Sequence, residues 1–357
     1  MILNHLLNEL GDRLKVKNID DEAVALILIR KLNESSKEIG RIHDWDCLKY
    51  LGSFNTVPNY TTGTATVTNG SRTVMGSGTS WTSAMVGRHF KSGSNWYKIV
   101  AFVSSTELVL ETPINEVSGS GTYVIWKRFY YLPSQLRKVK IFGRWLSDFR
   151  IEQKTENHLI DKYGDPSAVG SPEIAVSTGV DPFTGSYEAG TVALTLNSNV
   201  LTGTGTLWLD NVEAGDRIVL SKNFLRVKRV ESNTRIIMWN YSNTTVSGQT
   251  YSIEKDNPIG FQLYPNPSSA QVIPYQGQMR VFDMVNKEND RPPFPEDFDV
   301  AILDGAESSR MRDTDDVKWI QKAAEYKGRI TDLKATQGFA KPRTLQVVPD
   351  IPRRGTY

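Results

Sequence analysis

The stretch Gly63-Thr64-Ala65-Thr66-Val67-Thr68-Asn69-Gly70, running on through Gly76-Ser77-Gly78-Thr79-Ser80-Trp81 to Thr122-Tyr123-Val124-Ile125, is written a second time between Gly190 and Ile253. Gly63-Thr64, Gly76, Gly78-Thr79 and Trp81 fall on Gly190-Thr191, Gly203, Gly205-Thr206 and Trp208 at one constant interval. One residue is then gained. Gly87, Trp96, Ile99, Ser104 and Thr106 fall on Gly215, Phe224, Val227, Ser232 and Thr234, and Thr122-Tyr123 and Ile125 on Thr250-Tyr251 and Ile253. A register held this long with one insertion is an internal duplication, and two copies are too few for a solenoid. Within the first copy, Thr64 to Thr68 alternates small polar and apolar residues, Asn69-Gly70 is a strong two-residue hairpin signal, and Arg72 to Met75 returns as the partner strand. His89-Phe90, Trp96 to Val103, Glu107 to Leu110 and Tyr123 to Trp126 continue as strands between Gly- and Ser-rich turns. Each copy is expected to be an all-β module of about five or six strands, a small barrel or sandwich.

Outside the repeats the periodicity changes. Leu3, Leu6, Leu7, Leu10 and Leu14 draw a stripe along a first helix. Asp20, Asp21 and Glu22 open a second helix running to Ile42, where acidic groups complement the exposed amides. Its run Ala23 to Ile29 is apolar all round, which predicts burial on several sides. Gly52 to Tyr60 reads as a loop, Phe129 to Leu132 and Leu136 to Phe142 as strands, and Thr155 to Tyr163 as a short helix. Ile259 to Tyr264 and Gln278 to Met284 alternate as strands. Pro295-Glu296-Asp297-Phe298 starts a helix to about Met311. Asp313 and Thr314 cap a last helix with Val317, Ile320, Ala324, Ile330 and Leu333 inward, ended by Gly338.

The expected fold is α+β: a discontinuous helix-rich core with a small β part (1–58, 127–188 and 255–337), two inserted β modules (59–126 and 189–254), and an extended C-terminal arm (338–357). Whole domains insert at exposed loop tips, so both modules are expected to project from the core.

Composition narrows the function. Lys plus Arg number 42 against 40 Asp plus Glu, a net +2, which argues against a broad basic face for nucleic acid. The one cysteine, Cys47, excludes an internal disulfide framework and reads as a small buried side chain. Polar residues interrupt the first fourteen positions, so no export signal is expected, and no apolar run reaches the ~20 residues of a membrane span. The histidines His5, His43, His89 and His158 show no metal-binding spacing. His43-Asp44 resembles a dyad but closes a helix beside Trp45, which suits capping or packing. Ser77 lies in a hairpin turn whose twin is Thr204, not in a nucleophile elbow, and Asp297, Asp299 and Asp304 fit the start of a helix better than a carboxylate pair. No catalytic, metal or cofactor site is expected. Trp81 with Trp208, and Trp96 with Phe224, hold matching positions that read first as module cores and second as docking or sugar-stacking platforms.

Three segments carry a resemblance: Glu38-Ile39-Gly40-Arg41-Ile42-His43-Asp44-Trp45, then Tyr130-Tyr131-Leu132-Pro133, then Phe294-Pro295-Glu296-Asp297-Phe298 with Leu303-Asp304-Gly305-Ala306. In this order they resemble the head-to-tail adaptor, or connector, proteins of tailed bacteriophages, particularly short-tailed ones. The resemblance covers the core segments and leaves out the duplicated modules. It implies a non-enzymatic virion protein, assembled in the host cytoplasm and located in the neck. Twelve copies would form a ring between the portal protein and the tail tube or nozzle, with genomic DNA passing through without sequence-specific binding. The C-terminal arm would then reach the portal, with Lys341, Arg343, Arg353 and Arg354 as its candidate anchors. The competing expectation is a virion surface or tail protein whose β repeats bind host glycans or another virion protein. A cell-wall hydrolase ranks last.

Overall fold

The computed structural model describes residues 1–16, 18–143, 151–155, 157, 168–178, 186–220, 223–255 and 259–338. The chain divides into two compact units, Met1–Leu48 with everything from Lys287 onward, and Lys49–Asn286.

In the first unit, helix α1 (Leu3–Arg13) buries Leu3, Leu6, Leu7 and Leu10. Helix α2 (Glu22–Ile42) starts where Asp21 Oδ1 accepts from the Ala23 N–H at 2.9 Å, satisfying an amide the helix itself leaves unpaired. Only one face of its apolar first half is covered, and Leu26 stays 58% exposed. The most enclosed helix is α3 (Asp299–Asp313), buried continuously from Ala301 to Glu307. Asp304 and Glu307 lie on its buried face and are charged, so they need partners there. Asp304 receives Arg13 Nη1 at 2.9 Å and Arg329 Nε at 2.7 Å, and Glu307 faces Lys322 Nζ at 3.5 Å.

Helix α4 (Trp319–Gly338) differs from expectation at its start and in its facing. Its entry is capped by Asp316, whose Oδ1 accepts from Lys318 N at 3.0 Å. Tyr326 and Ile330 are buried, with Trp319 half-buried on the same side, whereas Val317 and Ile320 are 84% and 62% exposed. Large aromatics bury more area than aliphatic side chains, so Trp319 and Tyr326 set the inward stripe.

In the second unit each repeat curls round its own core. The first module orders its strands Gly119–Gly121, Thr64–Val67, Thr73–Ser77, Glu107–Leu110, Asn95–Ser104, His89–Ser92 and Val124–Trp126. The two outermost strands adjoin in sequence, so one segment pairs with Thr64–Val67 through its first half and with His89–Ser92 through its second. The second module repeats this order with Val246–Gln249, Thr191–Leu194, Val200–Thr204, Arg235–Met238, Asn223–Ser232, Arg217–Leu220 and Ser252–Glu254, and adds Ser186–Tyr187. Irregular pairing recurs at matching places, Ile99/Ala101 and Phe102/Ser104 in one, Val227/Arg229 and Val230/Ser232 in the other. Gly63 and Gly190 both take positive φ, +82° and +84°, where the next turn's backbone would meet a Cβ at 2.5 and 2.4 Å.

The helix-rich core is overturned. Strand accounts for 37% and helix for 26% of the described residues, which makes them mainly β. Outside the modules the chain builds two larger sheets and a two-stranded one, Val169–Gly170 with Asn266–Pro267. Of the larger two, one sets Val272–Met279 between Lys49–Asn55 and Leu136–Phe142, and the other orders Glu152–Lys154, Ile174–Thr178, Ile259–Tyr264 and Phe129–Leu132. They share a core that includes Tyr130, Leu132, Phe142, Phe261, Leu263 and Tyr275. Two of these strands are hard to read from sequence. Lys49–Asn55 alternates between exposed and half-buried positions with Gly52 inside it, and Val272–Met279 carries Pro274 and Gly277, residues that ordinarily argue against a central strand. The strand expected over Gln278 to Met284 ends at Met279. Most of the helix expected over Thr155 to Tyr163 lies outside the described residues.

Candidate assembly surfaces

The matched aromatic positions separate into two kinds. Trp81 and Trp208 are 2% and 0% exposed. Each donates its Nε1–H to a tyrosine hydroxyl of its own module, Tyr123 and Tyr251, at 2.9 Å in both. These hydroxyls donate onward to Thr62 O and Ala189 O, and burial pushes both tyrosines up to about 12. This pair is core. Trp96 and Phe224 face outward, half-buried and 56% exposed. Lys91 Nζ stands 4.8 Å from the Trp96 ring and Arg217 Cζ 5.4 Å from the Phe224 ring. Trp126 meets Trp96 edge-on at 5.0 Å, while Arg217 is also bonded to Glu254 through Nε at 3.1 Å. Lys341, Arg343, Arg353 and Arg354 lie outside the described residues.

The second module is tied closely to the central sheets. Gly215 has φ +94°, and a Cβ there would lie 2.0 Å from Gln135 N, so only glycine allows the two backbones to meet. The next residue, Asp216, is 2% exposed; it accepts from Glu213 N at 2.8 Å and from Ser134 Oγ at 3.4 Å. Burial, above all, pushes its carboxyl up to about 6. Asn240 Nδ2 donates to Asp283 O at 2.6 Å, Asn286 Nδ2 to Asn197 Oδ1 at 2.9 Å and to Ser242 O at 2.6 Å, and Arg226 lies over Phe282. Sequence reasoning missed this junction. A signal was present: the twin of Asp216 is Arg88, a reversal of charge beside a repeated glycine.

No family model, curated protein or solved structure matches this chain.

Within the helical unit, a groove of about 470 Å³ runs between α2, α3 and α4. Ile42, Trp319, Ala323 and Ile330 line it, and Tyr326 adds a hydroxyl that is buried without a hydrogen-bond partner. Burial and then the charge of Glu38 push that phenol upward. Trp319, Ala323, Tyr326 and Ile330 share one helix face, of which the sequence reading places only Ile330 inward.

Two further candidates for chemistry are held by their neighbours. His43 closes α2 and packs edge-on to Trp45 at 4.7 Å, and Asp304 is held by two arginines. Among the described residues no three His, Cys, Asp or Glu side chains are grouped to hold a metal ion. Cys47 is half-buried, and burial pushes its thiol up to about 11.

Proposed function

We propose that this chain is a non-enzymatic structural protein of a bacteriophage virion that assembles as a ring of twelve copies in the neck. The ring joins the portal protein to the tail tube or nozzle and leaves a channel for DNA. The observation that carries this reading is that two of the segments behind the resemblance, from opposite ends of the sequence, meet in one aromatic cluster. Trp45 packs edge-on to Phe298 at 4.8 Å, Phe298 stacks on Phe294 at 5.1 Å, and Trp45 Nε1 donates to Ile39 O at 2.6 Å. Two of the three segments thus pack together in the helical unit, while the third, Tyr130 to Pro133, begins in a strand of the β unit. A near-neutral chain also suits a channel, because a strongly basic lumen would hold DNA by its phosphates.

Glycan binding by the repeats has less support. A sugar platform needs an open aromatic face, and the outward pair, Trp96 and Phe224, each carry a cation over the ring. Averaged electron images of the purified protein, alone and mixed with its portal, test the proposal. Closed rings of twelve are expected, and a trimeric fibre, or a monomer that ignores the portal, would overturn it. Within the same proposal Lys341, Arg343, Arg353 and Arg354 anchor the arm to the portal. Deleting residues 339–357 is then expected to abolish stable portal complexes.

A further inference from the structure

The groove of the helical unit is incomplete on its own. Its floor is apolar, and the buried Tyr326 hydroxyl lacks an acceptor, which an incoming chain could supply. Its rim is charged one way. Arg312, Lys327 and Lys334 line it with Glu38 as the only carboxylate. None of the three cations makes an ion pair among the described residues.

The turn that adjoins the groove at Trp319 is also uncovered and has the opposite character. The turn into α4 reads Asp313-Thr314-Asp315-Asp316-Val317-Lys318-Trp319-Ile320. It is exposed throughout apart from the half-buried Trp319, and Val317 and Ile320 project at 84% and 62% exposure. Asp313 is already paired with Lys31 Nζ at 2.6 Å, so two apolar side chains beside the carboxylates of Asp315 and Asp316 match an apolar groove flanked by three cations. The C-terminal arm matches it poorly, since Lys341, Arg343, Arg353 and Arg354 would meet a rim of their own sign.

We propose that the groove receives the Asp313–Ile320 segment of a second copy of this chain. Val317 and Ile320 lie against Trp319 and Ile330, Asp315 and Asp316 face Lys327 and Lys334, and the incoming chain supplies the acceptor for Tyr326. The contact rests on the ring reading, because it names the surface through which neighbouring protomers would meet.

Sedimentation velocity of the full chain over a concentration series tests the contact. Ile320, Lys327 and Lys334 are solvent-facing or half-buried, so Ile320→Arg and the double variant Lys327→Glu/Lys334→Glu are expected to fold normally, which circular dichroism checks. Each is expected to weaken self-association about thirty-fold, as the loss of one interface hot spot does. A chain combining Lys327→Glu/Lys334→Glu with Asp315→Lys, which leaves the Asp316 cap in place, is expected to recover part of it. Wild-type protein that stays monomeric at every concentration overturns the contact, as does association that both variants leave unchanged. Electron images separate the two proposals. Rings that persist in Ile320→Arg discard this contact and keep the ring reading; closed dimers that Ile320→Arg abolishes keep the contact and discard the ring.

Discussion

Asp216 shows how one side chain can set the pH response of a junction. Its carboxyl is buried between Ser134 and the Glu213 amide and titrates at about 6, above the ordinary aspartate value of about 4. The folded chain therefore holds this proton more firmly than the unfolded chain does. Stability falls as pH rises from about 4 to 6, and the full penalty is present at pH 7. At about 1.4 kcal/mol per tenfold it amounts to no more than about 3 kcal/mol, a net figure that already includes the hydrogen bonds from Glu213 N and Ser134. Asp216→Asn keeps an acceptor for Glu213 N and offers a donor to Ser134. It is expected to stabilise the protein by about 1–2 kcal/mol at pH 7 and to lose that advantage at pH 4, read as the calorimetric difference between variant and wild type at each pH. Trp208 makes the opposite case, since it is fully buried and spends its one donor on Tyr251. Trp208→Phe is expected to cost about 2–3 kcal/mol in urea denaturation, from a small cavity and one lost hydrogen bond.

At the scale of elements, α3 is held by charge as much as by apolar packing. Asp304 is 4% exposed, whereas its partners Arg13 and Arg329 have side chains 26% and 45% exposed. Removing the carboxylate lets both arginines turn to water, while removing the arginines strands a buried charge. Asp304→Asn is expected to cost about 1–2 kcal/mol and Arg13→Met/Arg329→Met about 3–5 kcal/mol, compared by urea denaturation at neutral pH. Equal losses would show that the carboxylate reaches water. This asymmetry is invisible in a sequence, where Asp304 reads as one more acid near a helix start. The leucine stripe of α1 was legible because Leu3, Leu6, Leu7 and Leu10 share one partner face. The facing of α4 was not, because Val317 and Ile320 suit a core position as well as Trp319 and Tyr326 do, and only the neighbouring helix decides between them.

Across the whole molecule, duplication was legible as repeated glycines and tryptophans, because positive φ and a Trp–Tyr pair admit few substitutes. The central sheets were obscured by Pro274 and Gly277, and the Gly215–Gln135 approach joins residues far apart in sequence. The two modules therefore look interchangeable in sequence but are attached differently. In each, the entering and leaving strands meet, Tyr60 N with Ile125 O at 2.8 Å and Tyr187 in register with Ile253, so each can be excised and its ends rejoined by a short linker. Excising the first module removes the packing of His89 on Phe129 at the central sheets. Excising the second uncovers Ser134, Gln135 and Phe282 and removes two hydrogen bonds of Asn286, to Asn197 and Ser242. Each buried polar group left without a partner costs about 1–3 kcal/mol, and in a protein of this size about 1 kcal/mol shifts the melting temperature by about 2–4 °C. Loss of residues 189–254 is accordingly expected to lower the melting temperature by roughly 5–10 °C more than loss of residues 59–126. Scanning calorimetry of the two excised chains reads the difference directly. Equal melting temperatures would mean that the second module, like an appendage, contributes nothing to the sheets that carry it.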